Sequence, residues 1–253
     1  MTVRPRDDHR GAVGGDNRSA DHEQDGTAAR ARGTGAGEIP RRLCAVAVDL
    51  LPVTGASVSL HGDDMPVRLC ASNAQAAYVA DIQATLGEGP CQSAVRSARP
   101  VLACDLTEGH DVDRWPVFAE EATQAGVRAA YSLPLGDDAV CVGTLDLYRD
   151  TPGRLSADEL RTARALAGAM TMALMALSRE ADDRGRDLPG WLDGLAADHD
   201  DLYQAIGMIM AQLGVGAHDA LSRLRAHAFA HGRTAADVAG DVVEHRLRFP
   251  RGS

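Results

Sequence analysis

Apolar side chains recur at helical spacing at Leu43, Val46, Ala47 and Leu50, and Pro52 and Gly55 end that run. Ala56-Ser-Val58-Ser-Leu60 and Val67-Arg-Leu69-Cys-Ala71 then alternate with a period of two across the turn His61-Gly-Asp-Asp64, the pattern of an antiparallel hairpin. Residues 74–98 read as mostly helical and broken at Gly87-Glu-Gly89-Pro90, Val101 to Cys104 as a short strand, and Trp115 to Ala125 as a helix. A second strand pair is predicted over Val127–Leu135 and Ala139–Tyr148, joined at Gly136-Asp-Asp138. Ser156-Ala-Asp-Glu159 forms a capping box, and Leu160, Ala163, Leu166, Ala167, Met170, Leu174 and Leu177 make one apolar stripe on the helix it starts. The charged stretch Arg179–Asp187, closed by Leu188-Pro189-Gly190, marks a boundary.

Beyond it the pattern becomes purely helical. Leu202, Ile206, Ile209 and Leu213 form a stripe that ends at Gly214, and Ala217, Ala220, Leu221, Leu224 and Ala228 form one that ends at Gly232. A third begins at the cap Thr234-Ala-Ala-Asp237 and carries Ala235, Val238, Ala239, Val242 and Val243. Three short helices with short loops make a small bundle. The fold class is α+β: an antiparallel sheet flanked by helices over 39–180, a linker at 181–190, and an all-α three-helix unit over 191–249. Residues 1–38 hold seven Gly and few large apolar side chains, the composition of a disordered tail.

Composition narrows the function. With 45% hydrophobic residues in 253, the chain can build a core, and it lacks both an apolar run of membrane-spanning length and an apolar leader segment. Five cysteines without a CxxC pair suggest neither a disulfide framework nor a zinc ribbon, so the reducing cytoplasm is the expected compartment. A net charge of −10 argues against nonspecific coating of nucleic acid. The distribution is uneven: residues 221–251 hold Arg223, Arg225, Arg233, Arg246, Arg248 and Arg251 against only Asp237, Asp241 and Glu244, a locally basic surface. The GxSxG, Walker A, HExxH and kinase motifs are all missing, so no catalytic activity is expected. His227 and His231 lie four apart on one helix face without a third ligand beside them, and no metal site is expected.

Tyr203-Gln-Ala-Ile-Gly-Met-Ile-Met-Ala-Gln-Leu-Gly214, Asp219-Ala-Leu-Ser-Arg-Leu-Arg-Ala-His-Ala228 and Asp237-Val-Ala239 resemble the ANTAR domain, over roughly residues 198–247. That family is a three-helix RNA-binding module that promotes transcription antitermination by stabilising paired RNA hairpins. Its small-residue signature falls at Ala205, Gly207, Ala220, Ala228 and Ala239. Two positions depart from it: Ile206 stands where the family often has a basic residue, and Gly216 where it has a serine. Residues 40–180 resemble a GAF domain of the type that precedes ANTAR modules in actinobacteria. The residues that carry this are Leu86-Gly-Glu-Gly-Pro-Cys91, Asp105-Leu106, Arg114-Trp-Pro-Val-Phe118, Gly126-Val127, Ser132-Leu-Pro-Leu135 and Gly143-Thr-Leu-Asp-Leu-Tyr148. The resemblance implies a pocket for an unidentified small-molecule ligand, no fixed cofactor, and terminal helices that make a homodimer.

The chain is thus expected to be a signal-responsive regulator with paired-hairpin RNA as its partner. The alternative is a noncatalytic GAF signalling or redox-sensing module whose C-terminal helices bind a protein, favoured by Ile206 and by Asp198, Asp200 and Asp201 near the first helix. Candidate RNA-binding residues are Tyr203, Gln204, Arg223, Arg225 and Arg233, since Arg offers a planar fork to phosphate and Tyr a ring on which a base can stack. Arg223 and His227 project away from the bundle core, whereas Arg225 lies on its flank, where an ion pair serves as well as an RNA contact. Cys91 is the candidate sensor: it starts a helix, where the dipole lowers a thiol pKa, or else it is simply a small buried residue. Cys44, Cys70, Cys104 and Cys141 fall on apolar faces and read as core.

Overall fold

The computed structural model describes residue 1 and residues 38–61, 66–136, 141–183 and 190–250, with backbone alone for 177–183 and 190–200. The 2–37 segment of the predicted tail, the turns after His61 and Gly136, and most of the linker lie outside the described residues. Helix α1 (Glu38–Leu50) leads into strands β1 (Gly55–His61) and β2 (Pro66–Ala71), then α2 (Ala74–Leu86), α3 (Pro90–Ser97) and β3 (Val101–Ala103). Helices α4 (His110–Arg114) and α5 (Pro116–Gln124) precede β4 (Ala129–Gly136), β5 (Cys141–Arg149) and the long α6 (Ala157–Asp183). Helices α7 (Gly190–Leu213), α8 (Ala217–Ala230) and α9 (Ala235–Val243) complete the chain.

The strands form one sheet in the order β2-β1-β5-β4-β3, with every neighbouring pair antiparallel. Alternation assigns its two faces. Val58, Leu133, Leu135, Leu145 and Leu147 point to one side, where Cys44 and Ala47 of α1 and Ala163, Leu166 and Met170 of α6 cover them. The other side is roofed by α2, α3 and α5, where Val79, Ile82, Phe118 and Ala122 pack with Val127, Ala130 and Tyr148. The alternating polar residues of β1 and β5 are therefore buried: Ser57, Ser59, Thr144 and Asp146 are at most 2% exposed.

The expected caps are present. Ser156 Oγ accepts from the Glu159 amide at 3.2 Å while Glu159 Oε2 accepts from the Ser156 amide at 2.7 Å. Thr234 and Asp237 make the equivalent reciprocal pair at the start of α9. Helix α4 occupies a stretch to which the spacing assigns no element, and Asp111 shows why it forms. Its Oδ2 accepts from the amides of Cys104 (2.7 Å) and Asp105 (3.2 Å), so this carboxylate ties β3 to the new helix instead of standing in water.

Helices α7, α8 and α9 bury Leu202, Ala205, Ile209, Leu221, Leu224, Val238 and Val242 in a core of their own. Ala84 of α2 belongs to that same cluster, so the bundle is docked on the first unit through α2.

Candidate functional site

The first site is the polar chamber between the sheet and the α2–α3 corner. Register places Ser57 of β1 and Ser132 of β4 on either side of Asp146, and Ser59 beside Thr144. The hydroxyls of Ser132 and Thr144 donate to the two Asp146 carboxylate oxygens, Thr144 at 2.9 Å. Thr144 Oγ1 lies 3.2 Å from Cys91 Sγ, which is 3.8 Å from His61 Nε2. Tyr148 completes the row, its hydroxyl 3.0 Å from Ser57 Oγ and within 3.5 Å of Gln83 Nε2.

The segment Leu86–Cys91 builds the roof. Gly87 closes α2 in the left-handed conformation (φ 68°), and its amide donates to the Gln83 carbonyl. Glu88 Oε1 accepts from the Phe118 amide at 3.1 Å and so fixes the first turn of α5. Gly89 has φ 125°, and a Cβ there would stand 2.7 Å from Gln83 Oε1. The space this glycine leaves lets Gln83 Oε1 accept from the Cys91 amide at 2.9 Å. Gly89 and Cys91 thereby join α2 to the polar cluster, while Gly87 and Glu88 fix the corner that holds them.

Burial sets the chemistry inside. It pushes the Asp146 carboxyl up to about 6 against the donors that favour its charged form. It drives His61 down to about 4, so the ring is neutral at pH 7. Among the described residues, His61 Nδ1 and Gln92 Nε2 are buried polar atoms without a hydrogen-bond partner. Cys91 is the second residue of α3 but only 1% exposed. Desolvation, then the nearby Asp146 charge, raises its thiol well above the ordinary range, which overrides the helix-terminus effect expected at this position. The hydroxyls and the carboxylate of this cluster pair with one another, which leaves His61 Nδ1 and Gln92 Nε2 as its open polar atoms, and it does not present a ready thiolate.

The second site is the helical bundle. Tyr203 and Gln204 on α7 and Arg223 on α8 are exposed. Arg225, two residues from Arg223, turns the other way: its guanidinium lies where a Cβ on Gly87 would meet it at 2.9 Å. Arg233 bridges to Asp241, which Arg246 also contacts at 2.7 Å, so two arginines of the basic stretch share one carboxylate. The five candidate RNA-binding residues thus divide, three facing solvent and two in or beside the seam between the units. Ile206 is buried, and the neighbouring Gly207 is exposed. His227 is half-buried, stacked on His231 at 4.0 Å with Phe249 edge-on at 5.3 Å.

Sequence reasoning missed the seam. Thr85 Oγ1 of α2 accepts from the Ala235 amide at the start of α9 (3.0 Å) and donates to the Asp81 carbonyl (2.8 Å). Asp81 in turn holds Arg68 of β2 through two bonds of 2.9 and 3.1 Å. A cavity of about 550 Å³ opens here, its walls charged by Arg68, Asp81, Asp201, Arg233, Asp241 and Arg246. Thr85→Val is expected to strand the buried Ala235 amide at a cost of about 1–3 kcal/mol. The check is hydrogen exchange at α9, which accelerates in the variant if this bond holds the bundle down and is unchanged if it does not.

Comparison with known proteins fixes the family. A GAF domain model matches residues 34–175 and an ANTAR domain model residues 195–243. The chain belongs to the GAF family, with an ANTAR domain following the GAF domain. Together these make a signal-sensing regulator with an RNA-binding output. Solved structures of similar fold include a domain assigned to a two-component sensor histidine kinase of Sinorhizobium meliloti (17% identity, 59% of this chain and 96% of that one, TM-score 0.47). A GAF domain/HD domain protein of Geobacter sulfurreducens (14%, 57% and 94%, 0.44) and a type II free methionine-R-sulfoxide reductase of Thermoplasma acidophilum (13%, 57% and 94%, 0.41) are also similar. No curated protein matches. Among the described residues, no helix is long and apolar enough to cross a membrane.

Proposed function

We propose that the chain is a noncatalytic cytoplasmic regulator that works as a homodimer, receives a small-molecule signal in the polar chamber, and promotes transcription antitermination by holding paired hairpins of nascent RNA. The observation that carries this reading is α2 itself. One face of the helix, with Val79, Ile82 and Gln83, roofs the chamber, and another, with Ala84 and Thr85, is packed into the ANTAR bundle. A ligand that rearranges the Gln83–Cys91–Tyr148 contacts moves the element on which the bundle sits. Such a ligand shifts the population between docked and released bundles only as far as it binds one of them better.

RNA contact then has two stages. Tyr203, Gln204 and Arg223 are available in the docked arrangement, whereas Arg225 reaches RNA only when the bundle leaves Gly87. The test is capture and sequencing of RNA bound to the full chain, with Arg223→Ala as the variant. Enrichment of paired hairpins ahead of terminators is expected, and loss of one exposed arginine should weaken binding about tenfold, within the ~1–3 kcal/mol range of a charge-assisted hydrogen bond. Thr85→Val should strengthen binding by releasing Arg225. If no RNA is enriched by either the wild type or Thr85→Val, the antitermination reading fails and a protein partner for the bundle takes its place.

A further inference from the structure

Two cysteines that read from sequence only as core residues meet in the fold. Cys44 of α1 and Cys70 of β2, 26 residues apart, place their Sγ atoms 3.6 Å from each other, and they are 0% and 5% exposed. Both are free thiols. β2 is the edge strand of the sheet, and its register with β1 slips between Val58 and Ser59, at the pair Val58–Cys70. A bulge at an edge is where a strand bends most readily, and α1 is the first described helix, held by one face only. The motion needed to bring the sulfurs to bonding distance is therefore confined to the periphery of the domain. We propose that Cys44 and Cys70 are a reversible disulfide site, closed by a hydroperoxide and reopened by a dithiol.

The surroundings distinguish the two sulfurs. Either sulfur can donate in the 3.6 Å contact; with Cys44 as donor that bond outweighs the burial of Cys70, and Arg41 of α1, the Val58 backbone and Arg68 of β2 also favour negative charge there, so the Cys70 thiol lies below its ordinary range while Cys44 lies above. Cys70 is thus the attacking thiolate. Its sulfur takes the distal oxygen of the hydroperoxide; the O–O bond breaks, and the departing oxygen leaves as water or alcohol after protonation. The Cys44 sulfur then attacks the resulting sulfenic sulfur, the S–S bond forms as the S–O bond breaks, and the Cys44 proton leaves with the hydroxide as water. Two thiols lose two electrons in all, and one peroxide is reduced. Cys91, buried beside the Asp146 carboxylate, has none of these helpers.

The test treats the reduced full chain with equimolar hydrogen peroxide, followed by alkylation under denaturing conditions and digestion at arginine without reductant. The expected result is an intact mass lower by about 2 Da before alkylation, two fewer alkylated cysteines after it, and a bond joining peptide 43–68 to peptide 69–96, all reversed by dithiothreitol. Fragmentation should place that bond on Cys70, with Cys91 of the same peptide alkylated. In Cys44→Ser, Cys70 should instead be trapped as its dimedone adduct. Full alkylation of Cys44 and Cys70 after peroxide, or a bond to any other cysteine, overturns the proposal. The wild-type measurement decides this even if the variant does not fold.

Discussion

Gly143→Ala is expected to unfold the sensor domain's sheet at its centre. Gly143 sits on β5 opposite Leu60 of β1, and a Cβ built on it would stand 2.3 Å from the Ser59 carbonyl oxygen and 3.2 Å from the Leu60 Cα. Both atoms are backbone, so no side-chain rotation can make room. The strands must part, and the ladder that holds Ser57 beside Asp146 lengthens with them. Overpacking of this kind costs about 3 kcal/mol or more, near the top of the range for added methyl groups. Gly168→Ala is the control, because Gly168 lies on the exposed face of α6 with nothing within 4 Å of its added Cβ. That change should be neutral or stabilise by up to ~1 kcal/mol through helix propensity. Urea denaturation of the two variants separates the cases: equal midpoints would mean that the close approach of β5 to β1 is not a constraint.

The elements themselves were legible because each is written in local spacing. Alternation in Ala56–Leu60 and Gly143–Tyr148, the glycines of Leu86–Cys91 and the two capping boxes are short-range signals, and all form as expected. Alternation tells which residues share a face but not what covers it. Ser57, Thr144 and Asp146 show the same pattern whether water or α2 lies above them, and only the tertiary fold makes them a chamber. Arg225 failed to resolve for a related reason: a helical wheel places it on the bundle's flank, and its neighbour there is Gly87 of a different domain, about 140 residues away in the chain. Cys91 shows one principle overriding another, since the helix N-terminus favours a thiolate but full burial beside a carboxylate costs more. The cysteine pair at Cys44 and Cys70 was invisible because nothing in a sequence without a CxxC motif says which distant thiols meet.

Asp146→Asn is expected to change how stability depends on pH. In the folded chain the Asp146 carboxyl titrates at about 6 rather than its ordinary 3.8, a rise of about two units, equivalent to about 3 kcal/mol. A raised carboxyl means that the folded state holds its proton more tightly. The resulting stability is fully present below pH 3.8 and is lost as pH rises through about 6. His61 runs the other way: its folded value of about 4 lies below the ordinary 6.5 because burial disfavours the imidazolium. Its contribution, also about 3 kcal/mol, is complete above pH 6.5 and disappears as pH falls through about 4. The two groups therefore oppose one another across the same window, joined through Cys91 in one chamber. Asparagine keeps the shape and can still accept from Ser132, but it removes the titration. The difference in unfolding free energy between variant and wild type should then change by about 2 kcal/mol between pH 7 and pH 4, the variant losing ground in acid. His61→Gln should give the opposite slope. Urea titrations at one-unit intervals from pH 4 to 7 measure both, and a variant-to-wild-type difference that stays flat would mean that Asp146 carries its charge in the fold as easily as in water.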